Sequence, residues 1–427
     1  MTQRLIDFLN ASPVNFLAVE ELKRQLTAHG FRHLCMGDEW NAPQPGDTFF
    51  ITKNDSSLYA VRIGRKPIGE VGAKLICAHC DSPTFRIKPQ AEMNGEGNII
   101  RLNTEVYGGS IMSTWFDRPL SLAGRVILRG DNALRPVTRL LHIRKPLLII
   151  PNLAIHFNRQ VNDGVKLSKQ KDMLPLMDVC SFIEEGLQRD EMLLHLIARE
   201  LKVTVEDILD FDLYLYDTTP ACTVGVNDEL VSSGRLDDLS MVHAGLEALL
   251  AAGVTDQTHV LAIFDNEETG SMTKQGAQAP ILRNLLLRIA GSETNLIRAI
   301  EHSFMVSADN AHAFHPNYSD KYDPTNHPLM GFGPVIKINA AQKYATDARS
   351  AAIFASICRE AGVPCQTFVN HSDVAGGSTL GNILTSSLPI AGVDMGNPIW
   401  AMHSARETAS ARDHIYCVRA FTKFYNL

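Results

Sequence analysis

The sequence predicts an α/β fold in which one sheet is covered by helices on both faces and a β-rich unit is set into the chain. Three observations carry that expectation. Beyond about residue 232, apolar strand-like runs alternate with helical ones, the pattern of a sheet covered on each side. From about residue 91 to 231 the texture changes to turn-rich β segments, so this middle reads as a separate unit. The chain's 427 residues, 45% of them hydrophobic, are enough for a sizeable core and more than one domain.

Taken in order, the first 26 residues are amphipathic and interrupted by Asp7, Glu20 and Glu21, unlike the apolar core and cleavage site of a signal peptide. The stretch from Ser12 to Phe31 predicts the first helix, with Ser12 as N-cap, Pro13 in the first turn and Gly30 closing it. "DTFFITKN", "SLYAVRIG" and "AKLICAH" come next as strands. In the middle unit, "LAGRVILRG" and "FDLYLYDTT" are β segments around one helical pattern, "DEMLLHLIARELK". Then come helix "DDLSMVHAGLEALLAAG" and strands "HVLAIFD", "SFMVSAD" and "PVIKIN". Helix "DARSAAIFASICREAG", strand "CQTFVN", helix "STLGNILTSSL", strand "PIAGVDMG" and helix "ARDHIYCVRAFTKF" complete the chain. There is no internal repeat and no low-complexity tract.

Composition excludes some functions. The 47 acidic and 40 basic side chains give a net charge of −7 without the Lys/Arg clustering that a phosphate backbone requires, so nucleic acid is not an expected partner. No run approaches the roughly 18 apolar residues of a membrane span, and a cytoplasmic protein is expected. Eight cysteines, at 35, 77, 80, 180, 222, 358, 365 and 417, are too scattered for a disulfide framework and are expected to be reduced. Cys77 and Cys80 form a C-x-x-C pair, but it lies in a strand-like run and no second pair completes a zinc site.

Ligands of α/β sheets bind beyond the carboxyl ends of the strands, and four polar clusters here sit at strand ends or a helix start. "AKLICAH" leads to His79 and Asp81, "HVLAIFD" to Asp265, Glu267 and Glu268, and "SFMVSAD" to Asp309 and His312, while "SGRLDDL" places Asp237 and Asp238 at a helix start. Singly, each has an ordinary explanation: a helix cap for Asp237 or Asp238, a hydrogen-bonded structural histidine, a solvated acidic turn for "NEETG". Together they supply the nitrogen and oxygen ligands of Zn²⁺ or a similar ion, and carboxylates can bridge two such ions. Neighbours in extended chain point to opposite sides, so Glu267 and Glu268 are expected to divide the work, one binding metal and the other serving as proton acceptor. Asp81 would orient the His79 imidazole from behind.

With those residues in view, the blocks "AHCDSPTFRIKP", "SGRLDDL", "FDNEETGS", "SADNAHAFHPNYSDKYDPTNHP", "GPVIKINAAQKYA" and "AMHSARE" resemble the aspartyl aminopeptidase family of co-catalytic zinc exopeptidases, in the same order and over nearly the whole chain. The resemblance implies a three-layer zinc-exopeptidase-like sheet domain, residues 1–90 and 232–427, interrupted by a β-rich oligomerisation domain, residues 91–231. It implies two Zn²⁺ per subunit, with Mn²⁺ or Co²⁺ as possible substitutes. One zinc would be held by His79 and Asp309, the other by Glu268 and His403, with Asp237 bridging both. Glu267 would be general base and acid, and Asp81 would support His79. His156, in "LAIHFNRQVND", would reach the active site of a neighbouring subunit, and Lys337 and Tyr344 would line the substrate pocket.

The implied partners are small peptides and further copies of the chain, up to a tetrahedral dodecamer. The implied reaction removes N-terminal residues, with a preference for Asp and Glu that Lys337 could provide by pairing with the substrate carboxylate. Otherwise Lys337 is an exposed strand lysine. The chain departs from the family at "HSDVAGGSTLGN", where Ala375 and Gly376 stand in place of a Pro-Cys pair, and at "RLDD", where Asp238 adds charge beside the bridging position. Two other readings keep these residues. A deacylase or carboxypeptidase would need a cation such as Arg118, Arg159 or Arg235 for a terminal carboxylate. A catalytically silent assembly protein would not be expected to keep Glu267.

Overall fold

A computed structural model describes residues 1–96, 99–178 and 191–427. It divides the chain into two compact units, one comprising residues 1–81, 221–402 and 407–427, the other residues 82–220 and 403–406. The larger unit is built on a nine-stranded sheet in the order Arg32–His33, Thr48–Lys53, Ser57–Arg62, Thr258–Phe264, Ala73–His79, Phe304–Ala308, Ala391–Gly396, Val335–Ile338, Gln366–Val369. Thr258–Phe264, Ala73–His79, Phe304–Ala308 and Ala391–Gly396 run parallel, so their carboxyl ends share one edge of the sheet.

Alternation along the central strands creates the three layers. Ile76 and Ala78 join Leu261, Ile263 and Val306 in one apolar cluster, with side chains of the helices Asn15–Ala28, Leu236–Ala251, Ala348–Glu360 and Ala411–Asn426. Leu75 and Cys77 face the other way, joining Val260, Ala262 and Phe264 in a second cluster with the helices Ile281–Ala290, Glu293–His302 and Leu380–Ser387. Strands buried on both faces need continuous apolar runs, which is why "HVLAIF" and "AKLICA" carry no polar alternation.

Helix packing on the first face is close. A Cβ added at Gly245 would stand 2.6 Å from Leu261 Cδ1, so the helix approaches the sheet at this point because the residue lacks a side chain. Leu261 is fully buried in the middle of the sheet. Leu261→Ala is expected to cost about 2–5 kcal/mol of stability, read as a lowered urea midpoint.

The smaller unit holds a six-stranded sheet in the order Val137–His142, Leu120–Leu128, Ile208–Asp217, Thr84–Asn94, Ile100–Tyr107, Leu176–Asp178, with antiparallel pairing throughout. The helix Met192–Leu201 lays Leu193, Leu196 and Ile197 on the same core as Phe85, Leu122 and Leu213. Gly124, at φ +154°, allows the neighbouring strand to pass so close that a Cβ would meet the Asp212 carbonyl oxygen at 2.0 Å.

Several local expectations need correction. The N-terminus forms two helices, Thr2–Ala11 and Asn15–Ala28, where one was expected. Leu5, Ile6, Phe8 and Leu9 bury one face of the first, and Ser12 closes it instead of capping the second, whose preceding residue is Val14. Gly30 does end the second helix, at φ +82°, with the Phe31 N–H donating back to the Leu26 carbonyl at 3.0 Å. The helices Ile281–Ala290 and Glu293–His302 lie where no element was expected between two strands. Unit boundaries fall at 81/82 and 220/221, against 90/91 and 231/232 from the sequence, because the strand from Thr84 already pairs within the antiparallel sheet. Among the described residues no cysteine is in a disulfide, while Cys180, like Asp190 at the start of the "DEMLL" pattern, lies outside the described residues. Cys77 and Cys80 are both buried, and burial pushes both thiols up, so they are poor nucleophiles and poor redox partners. Among the described residues no helix is long and apolar enough to cross a membrane.

Candidate metal centre

At the shared carboxyl edge of the parallel strands, His79 ends one strand, Asp265 to Glu268 follow the next, and Asp309 follows a third. The topology alone therefore gathers them. Ligand atoms of His79, Asp237 and Asp309 lie within 4.8 Å of one another, and so do those of His79, Glu267 and Glu268.

Backbone geometry fixes the His79 ring. Its Nδ1 donates to the Asp81 carbonyl oxygen at 3.0 Å and lies 3.4 Å from the Asp81 carboxylate. That leaves Nε2 towards Asp237 Oδ1, 3.6 Å away, the nitrogen a metal would use. Burial pulls the His79 pKa down, but Asp237 and Asp81, with Asp238 and Glu267 behind them, hold it well above the usual histidine value.

Asp81 has a second task that its expected role did not include. Its two carboxylate oxygens accept the backbone N–H groups of Glu267 and Glu268, each at 3.1 Å. Residues 267–269 form a 3-10 turn, not extended chain, so the premise that the two glutamates point to opposite sides does not hold. Both reach the His79 cluster, and Asn266, at φ +60°, and Gly270, at φ +96°, shape the turn that brings them there. Burial raises the Glu267 carboxyl to about 8 and the Glu268 carboxyl well above its ordinary value, with nearby aspartates adding to both. Such crowding of carboxylates calls for a cation. One histidine nitrogen and several carboxylate oxygens are hard and borderline donors that suit Zn²⁺, so the residues present fit that ion.

Asp237 and Asp238 do not cap the helix Leu236–Ala251. Both have non-helical dihedrals, their shared peptide is cis, and the helix has no side-chain cap. The Asp237 N–H instead donates to Glu407 Oε2 at 3.0 Å, which leaves its carboxylate to the His79 side. Asp238 faces inward: its carboxylate accepts the His79 backbone N–H and the Asn310 amide, each at 3.2 Å. Asp265 likewise turns away, accepting the Asn15 amide at 2.9 Å, and burial raises its carboxyl to about 7. Asn310, Glu407 and Asn15 are supporting residues that sequence reasoning missed, because their partners lie 72, 170 and 250 positions away.

Lys337 is 3% exposed and not an exposed strand lysine. Its Nζ donates to the Asn310 carbonyl oxygen at 2.9 Å and stands 3.5 Å from Asp309 Oδ1. Tyr344 packs beside it, its ring centroid 5.6 Å from that ammonium. His312 is exposed on the short strand after Asp309. His403 belongs to the smaller unit, where it adopts φ +70° and pairs Nδ1 with the Gly109 carbonyl oxygen at 3.1 Å. His156 lies in an exposed loop of the same unit, between Ile155 and Phe157, the latter 80% exposed. Of the arginines a carboxypeptidase would need, Arg118 is committed to Asp217 at 2.8 Å and Arg235 to the Ser12 carbonyl oxygen at 3.1 Å, while Arg159 is exposed.

A histidine and carboxylates gathered beyond the ends of parallel central strands are the architecture of a metal-dependent hydrolase. Comparison with known proteins gives the family. Residues 8–425 match the aminopeptidase I zinc metalloprotease family (M18), to which the chain belongs. It is 49% identical to a probable M18 family aminopeptidase 2 of Clostridium acetobutylicum, over 100% of this chain and 98% of that protein. A chain in the cryo-EM structure of the Ape4 and Nbr1 complex superposes with a TM-score of 0.96 at 36% identity, covering 99% of this chain and 85% of that one. The S. cerevisiae mApe1 dodecamer shares the fold with a TM-score of 0.86 at 24% identity, over 99% of this chain and 96% of that one. The protein is a hydrolase, a metallo-aminopeptidase of a zinc-dependent family.

Proposed function

We propose that this aminopeptidase releases N-terminal residues from small peptides at a centre of two zinc ions, with a preference for Asp and Glu. The observation that carries the reading is the convergence of His79, Asp237, Asp309, Glu267 and Glu268 donor atoms at one sheet edge. In this assignment His79 and Asp309 would hold one ion, Glu268 and His403 would hold the other, and Asp237 would serve both. Mn²⁺ or Co²⁺ could substitute in so oxygen-rich a site. Zinc bound there would polarise the scissile carbonyl and acidify the attacking water.

The remaining steps belong to the chain's own residues. Glu267 takes a proton from the water and returns it to the leaving nitrogen. Asp81 holds both the His79 ring and the turn that carries the two glutamates. The substrate's free α-amine would be met by the carboxylates, which makes the enzyme an exopeptidase. Lys337 uses donors on Asn310 and Asp309 and, with three N–H bonds, has one left for an acidic substrate side chain beside Tyr344.

The smaller unit is assigned to oligomerisation, with a dodecamer as the proposed assembly. Its exposed apolar loop, with Leu153, Ile155 and Phe157 around His156, supports that role and the proposal that His156 completes a neighbouring subunit's site. A cytoplasmic location is part of the same proposal.

A panel of dipeptides with varied N-terminal residues, free or acetylated, tests the reading. Turnover should be confined to free amines and highest for Asp and Glu. Equal turnover of acetylated peptides would sink the exopeptidase mechanism, and a flat profile over acidic and neutral residues would sink the preference alone.

A further inference from the structure

A second basic feature of the larger unit has no role in the mechanism above. A cavity of about 350 Å³ is lined by His312, His315, Lys321, Phe368, His371 and Gly376, among others, with no carboxylate among the described residues that line it. In a chain whose net charge is −7, a cavity with three imidazoles, one ammonium and no acid is a departure from the average surface. Lys321 pairs with the neighbouring Asp320 at 3.3 Å on the exposed side.

Two of the imidazoles are set as donors. His315 Nδ1 accepts the Asn317 backbone N–H at 3.3 Å, and His371 Nδ1 accepts the Asp373 backbone N–H at 3.2 Å. A neutral ring whose Nδ1 accepts must carry its proton on Nε2, so each ring offers an N–H without needing to be charged. The polar side chains of this cavity are thus weighted towards groups that bind an acceptor or an anion.

Its position ties it to the metal centre. Phe368 is the register partner of Lys337 on the adjacent parallel strand, so the two share one face of the sheet, and Lys337 reaches Asp309. Ala311, Val335 and Phe368 form a small buried cluster, and the His312 ring stands 5.9 Å from that of Phe368. The cavity therefore opens one strand further towards the sheet edge than Lys337 and Tyr344. The altered family segment builds its outer wall. Gly376 gives its carbonyl to Lys343 Nζ at 2.7 Å, and a Cβ there would stand 2.6 Å from Asn370 Oδ1.

We propose that this cavity is a subsite for a carboxylate on the part of the peptide beyond the scissile bond. The inference rests on the site assignment above, which gives the first residue to Lys337 and Tyr344 and leaves the next strand outward for the second residue of the peptide. Two sources share this chemistry: an acidic second side chain, and the free C-terminus of a dipeptide.

The test uses the full-length, zinc-loaded enzyme with the first residue held constant. One pair of peptides carries Glu or Gln second, both C-terminally amidated; another is a dipeptide with Gln second, as free acid or amide. The subsite predicts a kcat/KM about tenfold higher for the anionic member of at least one pair, the size of one charge-assisted hydrogen bond, expressed mainly in KM. The pair that discriminates identifies the source. His371→Ala and Lys321→Ala, the latter a truncation of an exposed side chain outside the core, should each bring that ratio towards one. Equal turnover within both pairs, or a ratio unmoved in both variants, overturns the subsite. Absence of turnover on every peptide overturns the site assignment and the subsite with it, and so is distinguishable from the first failure.

Discussion

Glu267→Gln is expected to lower kcat by about 10²–10⁴-fold, the range for loss of a general acid–base, while the zinc content of the protein stays at its wild-type level. Glutamine keeps the volume and can still accept a hydrogen bond, but it cannot take the proton from water. Because both glutamates reach the His79 cluster, distance alone does not separate ligand from base. Metal analysis does. Glu268→Gln, at the assigned ligand, should lose zinc along with activity, whereas Glu267→Gln should lose activity alone. Zinc lost from Glu267→Gln to the same extent would make Glu267 a ligand, and the proton acceptor would have to be sought elsewhere.

What the sequence showed of this site, and what it hid, has a physical basis. His79, Glu267, Glu268 and Asp309 were legible because they directly follow buried apolar strands, and parallel strands place such ends together. The three layers were legible from the same strands, since burial on both faces demands uninterrupted apolar residues. The helices Ile281–Ala290 and Glu293–His302 do carry a signal in the sequence: Leu282, Leu285, Leu286, Leu296 and Ala299 recur at helical spacing.

Other features had no local signature. Asp238 shares its neighbourhood in sequence with Asp237, yet it faces the His79 backbone and Asn310, and only the folded chain distinguishes the pair. The burial of Lys337 depends on Asn310 and Asp309, which lie on a different strand connection. The premise about Glu267 and Glu268 failed for a related reason. The turn after Phe264 is held by Asp81, nearly two hundred positions earlier, and no local propensity reveals that anchor.

Metal removal should uncover the electrostatic strain of this cluster as a pH-dependent loss of stability. Burial raises Glu267 from 4.5 to about 8 and Asp265 from 3.8 to about 7, with neighbouring carboxylates adding to both. A carboxyl raised in the folded state binds protons that the unfolded chain has already released, so folding takes up protons between about pH 4 and 8. The contribution of these groups is therefore fully present below about pH 4 and is lost as pH rises through 7 to 8. Zinc acts in the opposite sense: its ligands must be deprotonated, so its affinity, and the stability it confers, grows with pH. At a hundredfold excess over Kd, bound zinc contributes about 2.7 kcal/mol, or roughly 4–5 °C in Tm for a unit of this size. The gap in Tm between zinc-loaded and chelated protein is thus expected to widen from pH 5 to pH 8, mostly because the chelated protein weakens. Thermal melts of both forms across that range provide the check. Parallel curves would mean that the carboxylates do not repel one another in the folded metal-free chain, and the electrostatic case for a cation at this edge would fail.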